Sequence, residues 1–324
     1  PAPSLVASLE LREVLTVEGL QISTYESIYY QLRELSQRYR DFTRFRLIGQ
    51  SHDERMIPML EIGKGEEVLI CTAGIYGREK RNTEFLVKMA EEYCQAYECS
   101  RLIERQYPVE ELLDGTSICI VPLVNPDGYE ISRRGFTAIG NPILRQMVKL
   151  LRQPHETWKC NARGVDLQGN FPTEGYQRHS IHDHAASENE TRALLHVFQE
   201  YESVGYLDFR NKETVRRRSR NTLLLRYSKR GRKIARSLSR LSQMREKSQE
   251  MVPTYVGSSS LEYYSELTGN PAVAVETAED QEIESARDFQ EIYEELHTVP
   301  LEFLQSEGRG GEKPRKKLAT GQTG

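Results

Sequence analysis

Short apolar runs alternate with longer stretches of helical periodicity along most of the chain. In the run 67–74, EVLICTAG, the apolar residues are continuous, which is typical of a strand buried on both faces of a sheet. In 23–42, by contrast, apolar residues such as Ile28 and Leu32 recur at helical spacing behind a capping residue. We predict strands at 45–51, 55–65, 67–74, 116–124, 205–210 and 271–278. We predict helices at 23–42, 83–99, 187–201, 226–246, 261–269 and 286–305.

Turn-forming and capping residues predict several of these boundaries. A turn over 52–54 joins the first two strands, and Pro126 with the following Asp and Gly predicts a turn after the fourth. Ser187 and Glu190 have the spacing of a capping box at the start of their helix. Gly269 is expected to end the helix that precedes the last strand.

The alternation of strands and helices predicts the fold class. Such chains form an α/β domain, in which a twisted, mixed and mostly parallel sheet is covered by helices on both faces. Neither an internal repeat nor a convincing linker interrupts residues 1–305, so we predict one domain there. Residues 306–324 are rich in Gly, Lys and Arg and poor in apolar residues, and we predict a disordered basic tail.

Charge is spread unevenly along the 324 residues. The formal net charge is −4, yet residues 210–247 hold 15 Lys and Arg against two acids, which makes that segment +13 and the remainder −17. This segment is interpreted either as a solvated helix face or as a polyanion-binding surface for teichoic acid, anionic lipid or nucleic acid. No apolar run approaches the roughly 20 residues that a transmembrane helix requires.

The number and spacing of the cysteines bear on the cellular compartment. The five cysteines are scattered without a CxxC pair, which argues against a disulfide scaffold and weakly favours a reducing compartment. The chain as given shows no hydrophobic leader, so we expect a cytoplasmic protein. Secretion or association with the cell wall after removal of a leader is the alternative.

Four segments, in this order, resemble those of zinc carboxypeptidases. TAGIYGREKRNTE, at 72–84, resembles the turn that carries their His-x-x-Glu metal pair. PLVNPDGYE, at 122–130, and WKCNARGVDLQGNFP, at 158–172, resemble their Asn-Pro-Asp-Gly-Tyr turn and substrate-gripping segment. GNPAVAVETA, at 269–278, resembles the strand that ends in their catalytic glutamate. The sequence around Trp158 is most similar to that of the family branch that cuts γ-D-glutamyl-diaminopimelate links in bacterial cell-wall peptides.

The resemblance implies a mixed sheet flanked by helices and a specific chemistry. In the family, two histidines and a glutamate hold Zn²⁺ and leave a position for water. The metal activates this water and polarises the scissile carbonyl, while a second glutamate moves the proton. An arginine stabilises the oxyanion, and polar groups hold the substrate carboxylate.

By this resemblance, Glu79 corresponds to the glutamate ligand and Glu276 to the general base. Arg163 corresponds to the arginine that polarises the carbonyl, a catalytic and substrate-binding role. Tyr255 corresponds to the mobile substrate-binding tyrosine.

The departures from the family pattern are as informative as the matches. Tyr76 and Arg210 stand where the two histidine ligands are expected, and a guanidinium cannot be deprotonated to bind a metal. Gln168 and Gly169 replace the Asn–Arg pair that grips the substrate carboxylate. Without zinc, two glutamates would face each other in a desolvated pocket, so we hypothesise that Arg210 occupies the place of the ion between them.

These observations predict a pseudopeptidase that has lost its zinc and binds a peptide or cell-wall fragment, with no cofactor expected. One alternative is an active metallocarboxypeptidase or peptidoglycan peptidase with an unusual metal site, and zinc is the expected cofactor if the family activity is retained. Its ligands would be Glu79, Glu276 or the 179–184 loop, HSIHDH, which supplies His179, His182, Asp183 and His184. The other alternative is a polyanion-binding scaffold acting through 210–247. The four remaining histidines, including His52, are expected to have no functional role.

Overall fold

The computed structural model describes residues 22–177, 184–211, 224–227, 232–241, 259–277, 280, 283 and 285–308. The strands are β1 (Thr43–Gln50), β2 (Met56–Ile62), β3 (Val68–Ala73), β4 (Leu102–Ile103), β5 (Tyr107–Pro108), β6 (Ser117–Val121), β7 (Ser203–Asn211), β8 (Leu224–Tyr227) and β9 (Ala272–Thr277). The helices are α1 (Tyr25–Arg38), α2 (Lys80–Glu98), α3 (Val109–Gly115), α4 (Pro126–Arg134), α5 (Pro142–Lys149), α6 (Asn189–Glu200), α7 (Arg232–Leu241), α8 (Ser260–Thr268), α9 (Ala286–Leu296) and α10 (Val299–Gly308).

A seven-stranded sheet organises the domain in the order β1-β2-β6-β3-β7-β9-β8. Its centre, β6-β3-β7-β9, is parallel, whereas β1, β2 and β8 pair antiparallel with their neighbours. The predicted α/β class, with a mixed sheet flanked by helices in one domain, is therefore confirmed. The sheet is not mostly parallel, because three of the pairings between its described strands are parallel and three are antiparallel. No helix within the described ranges combines the length and the apolar character needed to span a bilayer.

Strand β3 shows why the sheet is covered on both faces. All six of its residues are buried. Leu69 and Cys71 pack into the cluster that includes Phe85 of α2, whereas Val68 and Ile70 pack into the cluster that includes Leu194 of α6. Successive side chains of the strand point to opposite faces of the sheet and pack into two separate apolar layers, as the continuous apolar sequence predicts.

The predicted turn at Pro126 is instead the start of helix α4. The Asn125 side chain accepts a hydrogen bond from the Gly128 N–H at 2.9 Å, and Pro126 occupies the first turn of the helix, where its missing N–H costs nothing. The predicted capping box at Ser187 is also wrong, because the Ser187 hydroxyl donates to the Glu188 carboxylate and the helix begins at Asn189.

Two predicted helices are interrupted. In the helix predicted over 226–246, residues 226 and 227 belong instead to strand β8, which pairs antiparallel with β9, and Arg232–Leu241 is helical; residues 228–231 and 242–246 lie outside the described ones. The helix predicted over 286–305 divides into α9 and α10, since Pro300 cannot continue a helix and instead lies in the first turn of a new one. Helix α10 continues to Gly308, past the predicted start of the tail.

Candidate functional site

The carboxyl ends of three neighbouring parallel strands bring the candidate residues together. Glu79 follows β3 and lies at the N-cap position of α2. Arg210 is near the end of β7 and is in register with Glu276 of β9. Directly opposed residues of parallel strands point to the same face, so the guanidinium and the carboxylate meet. In open α/β sheets, this edge is where ligands bind.

Arg210 is the positive centre of this site. Its Nη2 lies 3.2 Å from Oε1 of Glu276, and its Nη1 lies 3.8 Å from Oδ2 of Asp208. The guanidinium is buried, with 9% of the side chain exposed, and its Nε has no hydrogen-bond partner within the described part of the chain. Burial opposes its charge, but Asp208 and Glu276 outweigh that penalty and raise the pKa of Arg210, so it remains a cation.

Asp208 is a member of the site that the sequence analysis did not name. It is two residues before Arg210, and its carboxylate accepts hydrogen bonds from Thr72 Oγ1 and Gln168 Nε2, both at 3.1 Å. Burial raises the pKa of Asp208, and the charge of Arg210 opposes that rise. A period of two along β7 places Asp208 and Arg210 on the same face, which was a readable signal in the sequence.

Gln168 connects this site to helix α8. Its amide nitrogen donates to Asp208, and its amide oxygen accepts a hydrogen bond from the Ser260 N–H at 3.2 Å. Gly169 ends the same short turn, and a Cβ placed there would have no neighbour within 4 Å. The amide of Gln168 is thus held by the fold, while Gly169 leaves open space beside it.

Glu79 is buried next to these groups. Its Oε1 accepts a hydrogen bond from the Asn211 N–H at 2.8 Å, and its Oε2 has no hydrogen-bond partner among the described residues. Burial, and secondarily the charge of Asp208, raise the pKa of Glu79 well above its usual value. Burial and the charge of Asp208 thus both favour the neutral form of the Glu79 carboxyl, and Asp208 and Glu276 are the acids that contact the Arg210 cation.

Tyr76 lies in the turn between β3 and α2. Its carbonyl accepts the Glu79 N–H at 3.0 Å, and its phenol is near enough to contribute to the electrostatics of Arg210. Lys159 Nζ lies 5.7 Å from the centre of the ring. Tyr76 is 5% exposed and therefore packs as a buried aromatic.

This donor set does not fit a zinc ion. Structural and catalytic zinc sites use histidine, cysteine and carboxylate ligands in tetrahedral geometry. Among the described residues around Glu79, the donors are carboxyl groups and a phenol, and a permanent cation already contacts two of the acids. An added divalent ion would be repelled by that guanidinium.

Arg163 makes its ion pair with a different acid. Its Nη1 lies 3.1 Å from Oε1 of Glu188, and its backbone N–H donates to the Asn161 side chain at 2.9 Å. Tyr255, His179, His182 and Asp183 lie outside the described residues. The carbonyl of His184, at the end of that histidine-rich loop, accepts a hydrogen bond from Asn170 at 3.0 Å.

The sequence analysis did not predict that His52 lies beside two buried acids. His52 Nε2 lies 3.1 Å from Glu188 Oε2, and carboxylate oxygens of Glu188 and Glu190 lie within 4.8 Å of it and of each other, as metal ligands would. Asn161 Nδ2 donates to both carboxylates, at 2.7 and 3.2 Å. We call His52, Glu188 and Glu190 the His52 cluster. The acidic pair at 188 and 190, two residues apart, was its only local signal.

The pKa values of the two acids in the His52 cluster are shifted in opposite directions. Burial works against ionisation of Glu188, but hydrogen bonds from His52, Ser187 and Asn161 lower its pKa to about 2. Burial and the charge of Asp127 raise the pKa of Glu190 to about 7. Glu188 is a well-satisfied anion, whereas Oε1 of Glu190 has no hydrogen-bond partner within the described ranges.

Solved structures share this architecture. Bovine thrombin-activatable fibrinolysis inhibitor, in complex with tick carboxypeptidase inhibitor, aligns with a TM-score of 0.65 and 15% identity over 90% of this chain and 99% of that one. Carboxypeptidase A from Helicoverpa armigera aligns with a TM-score of 0.61 and 16% identity over 94% of this chain and 80% of that one. These alignments show a common fold.

Sequence comparison identifies the family. Carboxypeptidase D of Anas platyrhynchos is 30% identical over 204 residues, or 59% of this chain and 13% of that protein. Gamma-D-glutamyl-L-diamino acid endopeptidase 1 of Lysinibacillus sphaericus is 29% identical over 163 residues, or 49% of this chain and 40% of that protein. The match thus spans less than half the length of either relative. The zinc carboxypeptidase profile matches residues 28–263, and the chain belongs to the zinc carboxypeptidase family.

Proposed function

We propose that this protein is a pseudopeptidase of the zinc carboxypeptidase family, in which the Arg210 guanidinium takes the place of the catalytic zinc. Its function is then to bind a peptide or a cell-wall peptide fragment without hydrolysing it. The observation that carries the proposal is the buried contact of Arg210 with Glu276 and Asp208, beside Glu79.

The electrostatics of the buried carboxyl groups support this exchange of cations. Several acids cannot all remain ionised in a desolvated site unless positive charge compensates them. A guanidinium supplies that charge and directional hydrogen bonds, but it cannot activate a water molecule or polarise a carbonyl as a Lewis acid. Glu276, the proposed counterpart of the general base, also has Oε1 occupied by Arg210.

The proposed ligand class follows from what replaces the carboxylate clamp. Gly169 provides no charge for a free C-terminal carboxylate, and Gln168 is engaged by Asp208 and Ser260. An internal or blocked peptide segment fits such a site better than a free C-terminus. The Lysinibacillus sphaericus relative is named as an endopeptidase for gamma-D-glutamyl-L-diamino acid links, which supports testing cell-wall peptides first.

Metal analysis of the purified full chain tests the proposal. We expect less than stoichiometric zinc and no hydrolysis of a γ-D-glutamyl-diaminopimelate peptide. In Tyr76→His/Arg210→His, we expect a gain of zinc affinity, because two imidazoles then join Glu79. Tight zinc in the unaltered protein that is lost in Glu79→Gln would refute the replacement of the ion by Arg210.

The His52 cluster favours a second candidate, an active peptidase with an unusual metal site. Its three residues could offer one ligand atom each to an ion. Zinc that is retained in Glu79→Gln but lost in His52→Ala, together with hydrolysis that a chelator abolishes, would establish this second function. Zinc-free protein that still binds the peptide supports the first.

A further inference from the structure

Helix α5 and the two residues that follow it carry a concentration of exposed apolar side chains. Ile143 and Leu150 are 70% and 71% exposed, and Met147 and Leu151 are each 49% exposed. Ile143 and Met147 lie on the helix and Leu150, with helical backbone angles, is its C-cap, so the spacing of four and three residues places the three side chains in one stripe. Isolated exposed apolar residues are ordinary, whereas a contiguous group marks an interaction surface. We call these four residues the α5 stripe.

The other side of α5 is anchored in the protein. Val148 is fully buried in a small cluster with Ile131, Ile139 and Trp158, and Leu144 packs against the same cluster. The Asn141 side chain caps the start of the helix by accepting the N–H groups of residues 143 and 144. The helix is therefore formed and oriented before any partner arrives, and the α5 stripe is a preformed surface.

The charged side chains on α5 and in the segment that follows it are positive. Residues 141–155 contain Arg145, Lys149 and Arg152 and no acid. Lys149 and Arg152 are exposed, whereas the Arg145 guanidinium is partly held by the Ile139 carbonyl at 2.8 Å. The Asp53 carboxylate accepts the Gly140 and Asn141 N–H groups at the start of the helix, and it lies 2.8 Å from Arg55, a cation that it shares with Asp127.

We infer that the α5 stripe docks onto the surface of an anionic phospholipid bilayer. An apolar stripe flanked by Lys and Arg is the pattern of a helix that lies in the plane of a membrane, with its apolar side chains below the headgroups. The cations complement the negative surface potential of such a bilayer. This inference is independent of the loss of zinc.

The size of the stripe favours a bilayer over a protein partner. A standard protein interface buries about 800 Å² on each partner, which four side chains on and directly after one short helix do not provide. Shallow insertion into lipid needs only a few large apolar groups and nearby cations, because each buried apolar group contributes separately. A second copy of the chain is therefore the alternative to be tested rather than the inference.

Co-sedimentation of the full chain with lipid vesicles tests the inference. The vesicles are phosphatidylcholine alone or phosphatidylcholine with phosphatidylglycerol. We expect binding to the anionic vesicles, and Ile143→Ser/Leu150→Ser should lower the partition coefficient about tenfold because less apolar surface enters the lipid. Leu47→Ser/Leu102→Ser, at sites that are 46% and 49% exposed, is the matched control and should bind like the unaltered protein.

The single tryptophan gives a site-specific readout. Trp158 lies directly in the cluster that holds Val148, so brominated acyl chains should quench its fluorescence when α5 is docked. The basic segment 210–247 could also attract anionic vesicles, but such binding would not depend on the α5 stripe.

Three results would overturn the inference. They are no binding to anionic vesicles, equal binding by the stripe variant and the unaltered protein, and a change of oligomeric state in the stripe variant, which would assign the surface to a second copy. Thermal unfolding verifies that each variant is folded.

Discussion

At the scale of single residues, the stability of the candidate site depends on how its buried charges compensate one another. Arg210 contacts Glu276 and Asp208, while burial and the nearby charge of Asp208 raise the pKa of Glu79 well above its usual value. One guanidinium thus contacts two buried acids, and the raised pKa of the third favours its neutral form. Each of these charges depends on the others, because none is sufficiently exposed for water to solvate it.

Arg210→Met should therefore be strongly destabilising. Removal of the guanidinium leaves Asp208 and Glu276 buried without their cation, and we expect a loss of about 3–5 kcal/mol in the free energy of unfolding. Arg210→Met/Glu276→Gln should lose less than the sum of the single changes, since the second change removes one uncompensated charge. Urea denaturation of the three variants measures this coupling.

Arg287→Met is the control for that series. Its side chain is 87% exposed and forms a surface ion pair with Glu291 four residues away, so the free energy of unfolding should not change measurably. Strict additivity of the Arg210 and Glu276 changes would contradict the idea that these groups compensate each other.

Glu302 makes stability depend on pH away from the candidate site. Its Oε1 accepts hydrogen bonds from the Tyr107 hydroxyl at 3.0 Å and the Thr298 hydroxyl at 3.2 Å, but burial raises its pKa to about 7. The folded protein then holds a proton that the unfolded chain releases near its ordinary pKa of 4.5. Its contribution to stability is complete below that pH and is lost as the pH rises towards 7.

Glu302→Gln should flatten this pH dependence. An amide cannot ionise, so the variant should gain on the order of 2 kcal/mol relative to the unaltered protein at about pH 8 and little at about pH 4. Denaturant titrations at a series of pH values measure the difference. Glu34→Gln, at a site that is 67% exposed, is the control. Parallel pH profiles for unaltered and Glu302→Gln protein would show that Glu302 ionises freely.

At the scale of elements, the site depends on how closely β7 approaches its neighbours. Register with β9 brings Arg210 opposite Glu276, and register with β3 brings Asp208 opposite Thr72. On the other side of the sheet from α6, helix α10 packs its Phe303 against β7 at Gly205. A Cβ at Gly205 would lie 2.0 Å from Cζ of that ring.

Gly205→Ala should accordingly destabilise the domain by about 1–3 kcal/mol, because the ring or the strand has to move. Gly115→Ala, where a Cβ would meet nothing within 4 Å, is the matched control. Thermal unfolding of both variants measures the effect. An unchanged Gly205→Ala protein would mean that Phe303 has room to rotate away.

At the scale of the whole molecule, the uneven charge distribution remains a prediction about partners. Residues 210–247 carry +13 against −17 elsewhere, and on the described helix α7 the side chains of Arg232, Lys233 and Arg236 are exposed. A segment of this kind would make binding to a polyanion strongly dependent on salt.

Chromatography on immobilised heparin checks this prediction. The unaltered chain should be retained and should elute as salt is raised, whereas neutralisation of Arg216, Arg217 and Arg218 to Gln should lower the eluting salt concentration. The same number of Gln substitutions at Arg33, Arg38 and Arg287, outside the segment, forms the control. Equal elution of both variants would assign retention to net charge alone.

Much of the fold was predictable because its signals are local. The continuous apolar runs at β3, β6 and β9 identified the buried parallel strands, and the order of four motifs indicated the zinc carboxypeptidase family. Helix α4 and strand β8 were missed for different reasons. The Pro-Asp-Gly sequence serves turns and helix starts equally well, and β8 exists through its pairing with β9, a contact distant in sequence.

The sequence alone determined which residue types stand where the family resemblance predicts histidine ligands, since Tyr76 and Arg210 can be read directly at those positions. Only the tertiary structure decided which groups share a desolvated environment: Asp208 and Gln168 join Arg210, whereas Arg163 pairs with Glu188 in the His52 cluster. The physical reason is that ion pairing and pKa values depend on distance and burial in three dimensions. Strand register and packing determine these distances and the degree of burial, and neither can be read from the local periodicity of the sequence.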